Sequence, residues 1–145
     1  MTAPIFACSC PSCVGACRRK PGLFMPGEAE VLAANMGVSL IELFETRLAV
    51  EWETAIGIGK IYALSPAIEG IEPGREFPED RRFGTCTFLK AGCCEIHTQG
   101  KPYDCAMATH VPVADPTRTI AAWIPHQGQI SELLRSIKEQ ARGQQ

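Results

Sequence analysis

The sequence predicts a small, mainly helical α+β fold, with residues 1–145 forming a single domain. Three observations favour this class. Several segments repeat apolar residues at the three- and four-residue spacing of an amphipathic helix. Other segments are short, strand-like runs bounded by glycine and proline. The third observation is the presence of eight cysteines in only 145 residues, which suits a small domain organised around its cysteines. The function depends on what these thiols do.

The first two predicted helices are bounded by their own sequence signals. The stretch PGEAEVLAANMG begins near Pro26 and ends at Gly37, and these residue types suit the first turn and the left-handed C-terminal position of a helix. Ser39 and Glu42 then form a capping-box pattern that opens LIELFETRLAVEW. The apolar stripe of this segment reaches Trp52, so the sequence predicts a helix pair joined by one short turn.

The remaining elements are predicted from turn residues and periodicity. Residues 57–68 favour a strand with glycine-permitted turns, and residues 69–82 favour a charged loop. The runs CTFL and CEIH suit the two strands of a hairpin. A short helix is expected over 117–123, followed by an amphipathic helix over about 129–142 that packs on the domain.

Composition and segment types limit the partners and the location. A net charge of −2 gives no electrostatic reason to expect nucleic acid or an anionic membrane as a partner. No run approaches the roughly 20 apolar residues of a membrane span, and the stretch MTAPIFACSC lacks the features of a signal peptide. The sequence therefore predicts a cytoplasmic location, in which cysteines serve as metal ligands or catalytic thiols more often than as structural disulfides.

The cysteines form two clusters that frame the predicted helix pair. The first cluster, within residues 8–17, contains Cys8, Cys10, Cys13 and Cys17, and the second, within residues 86–105, contains Cys86, Cys93, Cys94 and Cys105. The stretch Cys10-Pro-Ser-Cys13 is a CxxC knuckle that allows two sulfurs to meet on one ion. The same spacing also occurs in redox dithiols, but those usually follow a buried strand and open a helix. Metal binding is favoured, and thiolates select zinc, copper(I) or iron–sulfur clusters.

The second cluster also carries a family resemblance. The stretch CTFLKAGCCEIHTQGKPYDC is similar to the C-x-F-L, C-x-I-[YH] and R-P-x-x-C pattern of the CxxCxxCC zinc- or iron-chelating domain family (YkgJ-like cysteine-cluster proteins). Cys86, Cys94 and Cys105 match this pattern, and His97 stands at its aromatic or histidine position. The stretch RRKPGLFMPGEAEVLAANMG after the first cluster resembles the family as well, so the resemblance spans about residues 8–110.

The resemblance implies a metal-binding protein and a set of ligands. The ligands that match best are Cys10, Cys13, Cys17, Cys86, Cys94 and Cys105, while Cys8, Cys93 and His110 are the candidates to complete the set. The chain departs from the family at Ala16, where the closing cysteine pair loses one member, and at Lys101, where the family has arginine. Zinc is the expected metal, and iron or a 4Fe–4S cluster is the alternative.

Two functional hypotheses follow from this ligand set. The first is a protein that binds a metal ion without catalysis, with any protein partner left open. The second is an iron-dependent enzyme or electron carrier that uses the same thiolates, so the sequence does not decide whether the chain is an enzyme. Of the histidines outside the clusters, His126 is expected at the surface, next to Pro125 at a helix start.

Overall fold

The structure combines helices with antiparallel strand pairs, which confirms the predicted α+β class. It is a computed structural model that describes Arg18 and residues 22–81, 83–90, 93–96 and 116–143. In these residues the helices are α1 (Glu28–Met36), α2 (Leu40–Arg47), α3 (Pro116–Trp123) and α4 (Gln127–Gly143). The strands are β1 (Leu48–Ala55), β2 (Gly59–Pro66), β3 (Leu89–Lys90) and β4 (Cys93–Cys94). β1 pairs with β2, and β3 pairs with β4.

The turn between α1 and α2 follows the predicted boundary signals. Gly37 ends α1 with a φ of 74°, in the left-handed region that glycine adopts without a steric cost. Ser39 caps α2, because its hydroxyl oxygen accepts a hydrogen bond from the backbone N–H of Glu42 at 3.1 Å. The predicted helix pair with one short turn is therefore confirmed.

The predicted extent of the second helix is wrong. The helix ends at Arg47, and the following residues form β1 instead of continuing to Trp52 as a helix. β1 pairs with β2 along its whole length, with Trp52 opposite Tyr62. Leu48, Val50 and Trp52 are every second residue of β1, so they fit the two-residue period of a strand. Leu48 and Trp52 also continue the apolar stripe of the predicted helix, so the same residues fit both structures. Backbone pairing with β2 decides between the two periods.

The strand predicted within residues 57–68 is confirmed as β2. Its connection from β1 uses Gly57 and Gly59, whose φ angles of 81° and 98° lie in the region that favours glycine. The charged segment that follows β2 is a loop, as predicted, and it touches the sheet through a parallel bridge between Val50 and Glu76. The hairpin of β1 and β2 therefore has a neighbour beyond β1.

The outer edge of β2 is covered by groups from both ends of the described chain. The side-chain amide of Gln127 accepts a hydrogen bond from the backbone N–H of Tyr62 at 2.8 Å and donates one to its carbonyl at 2.9 Å. The backbone N–H of Phe24 donates to the carbonyl of Leu64 at 2.9 Å. Strand edges that are left open promote pairing with other chains, so these contacts protect β2.

The outer edge of β1 is covered by the charged loop. The backbone N–H of Val50 donates to the carbonyl of Arg75 at 2.9 Å, and its carbonyl accepts from Phe77 at 3.0 Å. Gly74 allows the loop to approach α2, because its φ is 76° and a Cβ atom there would lie 3.2 Å from the Cα of Glu45. Both edges of the β1–β2 hairpin are thus occupied by backbone or side-chain groups of the chain itself.

The helices and the hairpin share an apolar core. Its fully buried large side chains include Phe24, Leu32, Phe44, Leu64, Phe88 and Trp123. The indole N–H of Trp123 donates to the carbonyl of Phe24 at 2.6 Å, which ties α3 to the segment that precedes α1. This contact satisfies the indole N–H in a site that excludes water.

The two C-terminal helices agree with the predicted segments. α3 covers the short helix predicted over 117–123, and α4 covers the amphipathic helix predicted over about 129–142, beginning two residues earlier at Gln127. Ile130 and Leu133 of α4 are buried in the core, as the periodicity predicts. None of the helices in the described residues combines the length and the apolar character needed to cross a membrane.

We predict that Gln127→Ala destabilises the protein by about 1–3 kcal/mol, because it leaves the partly buried backbone groups of Tyr62 without their partners. The matched control is Gln129→Ala on the same helix, since Gln129 makes an exposed hydrogen bond to Glu30 at 3.3 Å. This control should change the free energy of unfolding by less than about 0.5 kcal/mol. Urea denaturation measures both values, and equal losses in the two variants would contradict the edge-covering role of Gln127.

Candidate metal centre

The second cysteine cluster begins on a segment that pairs with the residues just after β2. Beyond the end of the strand, the backbone N–H of Thr87 donates to the carbonyl of Ala67 at 2.9 Å. An antiparallel bridge places Cys86 opposite Ile68. The chain around Cys86 is therefore held by the same kind of backbone pairing that joins β1 to β2, and the position of its Cα atom follows from the hairpin.

A small hairpin then brings Cys94 back beside the same segment. The backbone N–H of Leu89 donates to the carbonyl of Cys86 at 3.1 Å, which closes a tight turn. In the β3–β4 pair, Leu89 lies opposite Cys94 and Lys90 lies opposite Cys93. A hairpin lies where CTFL and CEIH predict one, but its paired strands are only two residues long and lie closer to the turn than predicted. Of the predicted strand residues only Leu89 and Cys94 are paired, and Lys90 and Cys93, predicted in the turn, form the other pair. Cys86 and Cys94 are both neighbours of Leu89 through this arrangement.

Cys86 and Cys94 are buried in apolar surroundings. Their relative exposures are 3% and 9%, and both belong to the core together with Phe88 and Ile96. A buried cysteine that binds no metal behaves as a small apolar residue, and its thiol is protected from reagents. A thiolate in the same place needs a cation close by, because a charge in an apolar site is costly unless it is paired or coordinates a metal.

The other predicted ligands lie outside the described side chains. They are Cys8, Cys10, Cys13, Cys17, Cys93, Cys105 and the candidate His110, although the backbone of Cys93 is described in β4. His97, at the family's aromatic or histidine position, also lies outside the described residues. Where the structure describes the chain, no three side chains of the metal-ligating types are grouped closely enough to hold an ion. The predicted ligand set therefore remains a prediction. His126 is exposed beside the ring of Trp123, as expected for a surface histidine.

A hydrogen bond joins the flanks of the two clusters. The hydroxyl of Thr85 donates to the carbonyl oxygen of Arg18 over 3.4 Å. Arg18 directly follows Cys17 in the sequence, and Thr85 directly precedes Cys86. This contact joins residues that are 67 positions apart in the sequence. One is the first residue after the first cluster, and the other is the last residue before the second cluster.

Arg47 contacts the segment that carries the two buried cysteines, which the sequence does not predict. From the end of α2, its guanidinium contacts the carbonyl of Thr87, the carboxylate of Glu95 and the ring of Phe88. Each of these groups belongs to the segment that carries Cys86 and Cys94. An arginine in the last turn of a helix is ordinary, because it interacts favourably with the helix dipole, so the sequence holds no local signal of this role.

Comparison with protein-family models, with curated proteins and with solved structures gives no match for this chain. The resemblance to the CxxCxxCC family therefore depends on the residues quoted for it. What the described residues show is that Cys86 and Cys94 are buried and that the flanks of the two clusters are in contact.

We predict that Cys86 and Cys94 of the folded protein react with iodoacetamide at least about 100-fold more slowly than in urea. Access to a buried thiol requires local opening of the core, and a 100-fold protection corresponds to an opening free energy of about 2.8 kcal/mol. Peptide mapping by mass spectrometry after timed labelling measures the rate at each cysteine. Labelling of either residue at its unfolded rate would contradict the burial described here.

Proposed function

We propose that this chain is a metal-binding protein in which thiolates from residues 8–17 and 86–105 bind one centre, most simply zinc. The observation that carries the proposal is the hydrogen bond between Thr85 and Arg18. Consecutive Cα atoms are 3.8 Å apart, so a contact at these two residues favours a short distance between the neighbouring cysteines of the two clusters.

The burial of Cys86 and Cys94 supports the same proposal. Their side chains lie in the core, with Cys94 on β4 and Cys86 just before β3 in the chain, which is a suitable arrangement for two ligands of a closed site. In a tetrahedral zinc site with Zn–S distances of about 2.3 Å, the sulfurs lie about 3.8 Å apart. Two further thiolates would complete the four-ligand set, and the first cluster offers the CxxC pair Cys10 and Cys13 for this role.

The donor types present fit the proposed metal. Thiolates are soft ligands that prefer zinc, copper(I) and iron–sulfur clusters to magnesium or calcium. A zinc ion with four thiolate ligands would be structural, because catalytic zinc sites keep an open coordination position. When bound, the ion would offset part of the negative charge of the thiolates in the apolar core and contribute its binding free energy to folding.

One observation favours a second candidate function. Eight cysteines exceed the four ligands that a single tetrahedral zinc ion requires. The additional thiols would suit a dinuclear centre, whereas a 4Fe–4S cluster, which itself takes four thiolates, would leave the other cysteines spare. With iron bound in either form, the protein would be an electron carrier or an iron-dependent enzyme. The two candidates differ in a direct observable, since zinc proteins are colourless and iron–sulfur proteins are brown.

We predict at least one tightly bound zinc or iron atom per chain in protein that is purified without oxygen. Thiols held close together and not bound to metal would be liable to oxidation. Elemental analysis by mass spectrometry, together with an absorption spectrum, measures the number and the identity of the metal. Protein that contains neither element would contradict both candidate functions.

Cysteine variants separate the ligands from the other thiols. Structural zinc contributes about 10–16 kcal/mol of apparent binding free energy in small peptides, whereas a domain is stable by only about 5–15 kcal/mol. Cys13→Ser and Cys94→Ser should therefore abolish metal retention and cooperative melting. Cys8→Ser and Cys93→Ser, as matched controls outside the best-matching pattern, should have milder effects. Full metal content and an unchanged Tm in Cys13→Ser would refute the role of the CxxC pair.

A further inference from the structure

Arg47 connects α2 to the segment that carries both buried cysteines. It is the last residue of α2 and directly precedes β1. Its Nη2 atom lies 3.4 Å from the carbonyl oxygen of Thr87 and forms an ion pair with the carboxylate of Glu95. Its Cζ atom lies 4.2 Å from the ring centroid of Phe88, in the geometry of a cation–π interaction.

Two partners of Arg47 occupy equivalent sequence positions relative to the two buried cysteines. Thr87 follows Cys86 in the sequence, and Glu95 follows Cys94. The arginine therefore joins the segment just before the β3–β4 hairpin to the segment just after it, at the residue that follows each cysteine. The buried ring of Phe88 supports the plane of the guanidinium from within the same hairpin. A planar group with several fixed donors suits this role better than the single, flexible ammonium of a lysine.

The hairpin itself is too short to hold the cysteines accurately without support. β3 and β4 contribute only two residues each, and a backbone hydrogen bond from Glu95 to Phe88 at 2.9 Å extends the pairing by one step. An isolated two-stranded hairpin is at best marginally stable in water. The distance between Cys86 and Cys94 therefore depends on contacts from outside the hairpin, and Arg47 supplies such contacts to the segments on both sides of it.

We propose that Arg47 is a positioning residue that sets the separation and orientation of Cys86 and Cys94 as metal ligands. This inference rests on the proposed function and adds a residue that would determine how tightly the proposed centre binds its metal. The ion pair with Glu95 is partly exposed, and pairs of this kind contribute little to global stability. Loss of a group that orients metal ligands, in contrast, typically lowers metal affinity by about 10- to 100-fold. The effect of Arg47 should therefore appear at the metal centre more than in the unfolding transition.

The experiment measures zinc affinity by competition with a chelator and records the absorption spectrum of the Co²⁺-substituted protein. Arg47→Met should lower the zinc affinity by about 10- to 100-fold and change the Co²⁺ ligand-field bands, which report ligand geometry. Arg47→Lys keeps the charge without the planar fork and should restore only part of the affinity. Glu95→Gln should act in the same direction as Arg47→Met. The double variant should lose no more affinity than Arg47→Met alone, because both changes remove one interaction.

Arg135→Met is the matched control, because it removes an arginine from a surface ion pair on another element. Arg135 contacts Glu132 and Glu139 on the exposed face of α4, and its hydrogen bond holds the pKa of Glu132 below its ordinary value. This variant should keep the wild-type zinc affinity and Co²⁺ spectrum.

The possible failures distinguish the two proposals. Wild-type affinity and an unchanged Co²⁺ spectrum in both Arg47→Met and Glu95→Gln would overturn the positioning role and leave the proposed function intact. If Arg47→Met does not fold, Arg47→Lys and Glu95→Gln decide the question by the same two measurements. A wild-type chain that binds neither zinc nor cobalt would overturn the proposed function, and the positioning role with it.

Discussion

The antiparallel pairing of β1 with β2 is the interaction on which the other described elements depend. A two-stranded hairpin is marginal by itself, since it buries little surface and leaves two open edges. In this protein the edge of β2 is completed by Gln127 and Phe24, and the edge of β1 by the loop that contains Arg75. Helices α1 to α4 then share an apolar core with the hairpin. The hairpin is stable because distant parts of the chain complete it.

The same pairing determines where the second cysteine cluster lies. β2 continues through Ala67 into a backbone contact with Thr87, so Cys86 is held beside the hairpin and buried in the apolar core. Arg47 lies at the junction of α2 and β1 and reaches the same segment. A change in the hairpin would therefore be transmitted to both buried thiols. Two of the thiols of the proposed metal centre are therefore placed by the fold itself.

Local signals explain which parts of the fold could be predicted from the sequence. Gly37 ends α1 and Ser39 begins α2, and each acts on residues within a few positions of itself. These two boundaries are therefore predictable from the sequence. The residues from Leu48 to Trp52 were assigned wrongly, because their apolar pattern satisfies both the helical and the strand period. Only their pairing with a strand further along the chain resolves this ambiguity.

In the candidate site, too, features with a local sequence signal are predictable, and features that depend on distant contacts are not. A hairpin near Cys94 could be predicted from the sequence, and the structure has one there with strands of two residues each. The contact of Gln127 with Tyr62 spans 65 positions and that of Arg47 with Glu95 spans 48, so neither has a local signature. The ligand roles of the cysteines follow from their chemistry and remain a prediction, because most of these side chains lie beyond the residues that the structure describes.

X-ray absorption spectroscopy at the edge of the metal that copurifies with the protein tests whether thiolates bind that metal, because it counts the ligand atoms and measures their distances. For zinc, we expect a first shell of about four sulfur atoms at about 2.3 Å. Cys86 and Cys94 are two described, buried thiols, so this count would require further thiolates from the rest of the two clusters. A first shell made only of nitrogen and oxygen atoms at about 2.0–2.2 Å would contradict a thiolate centre.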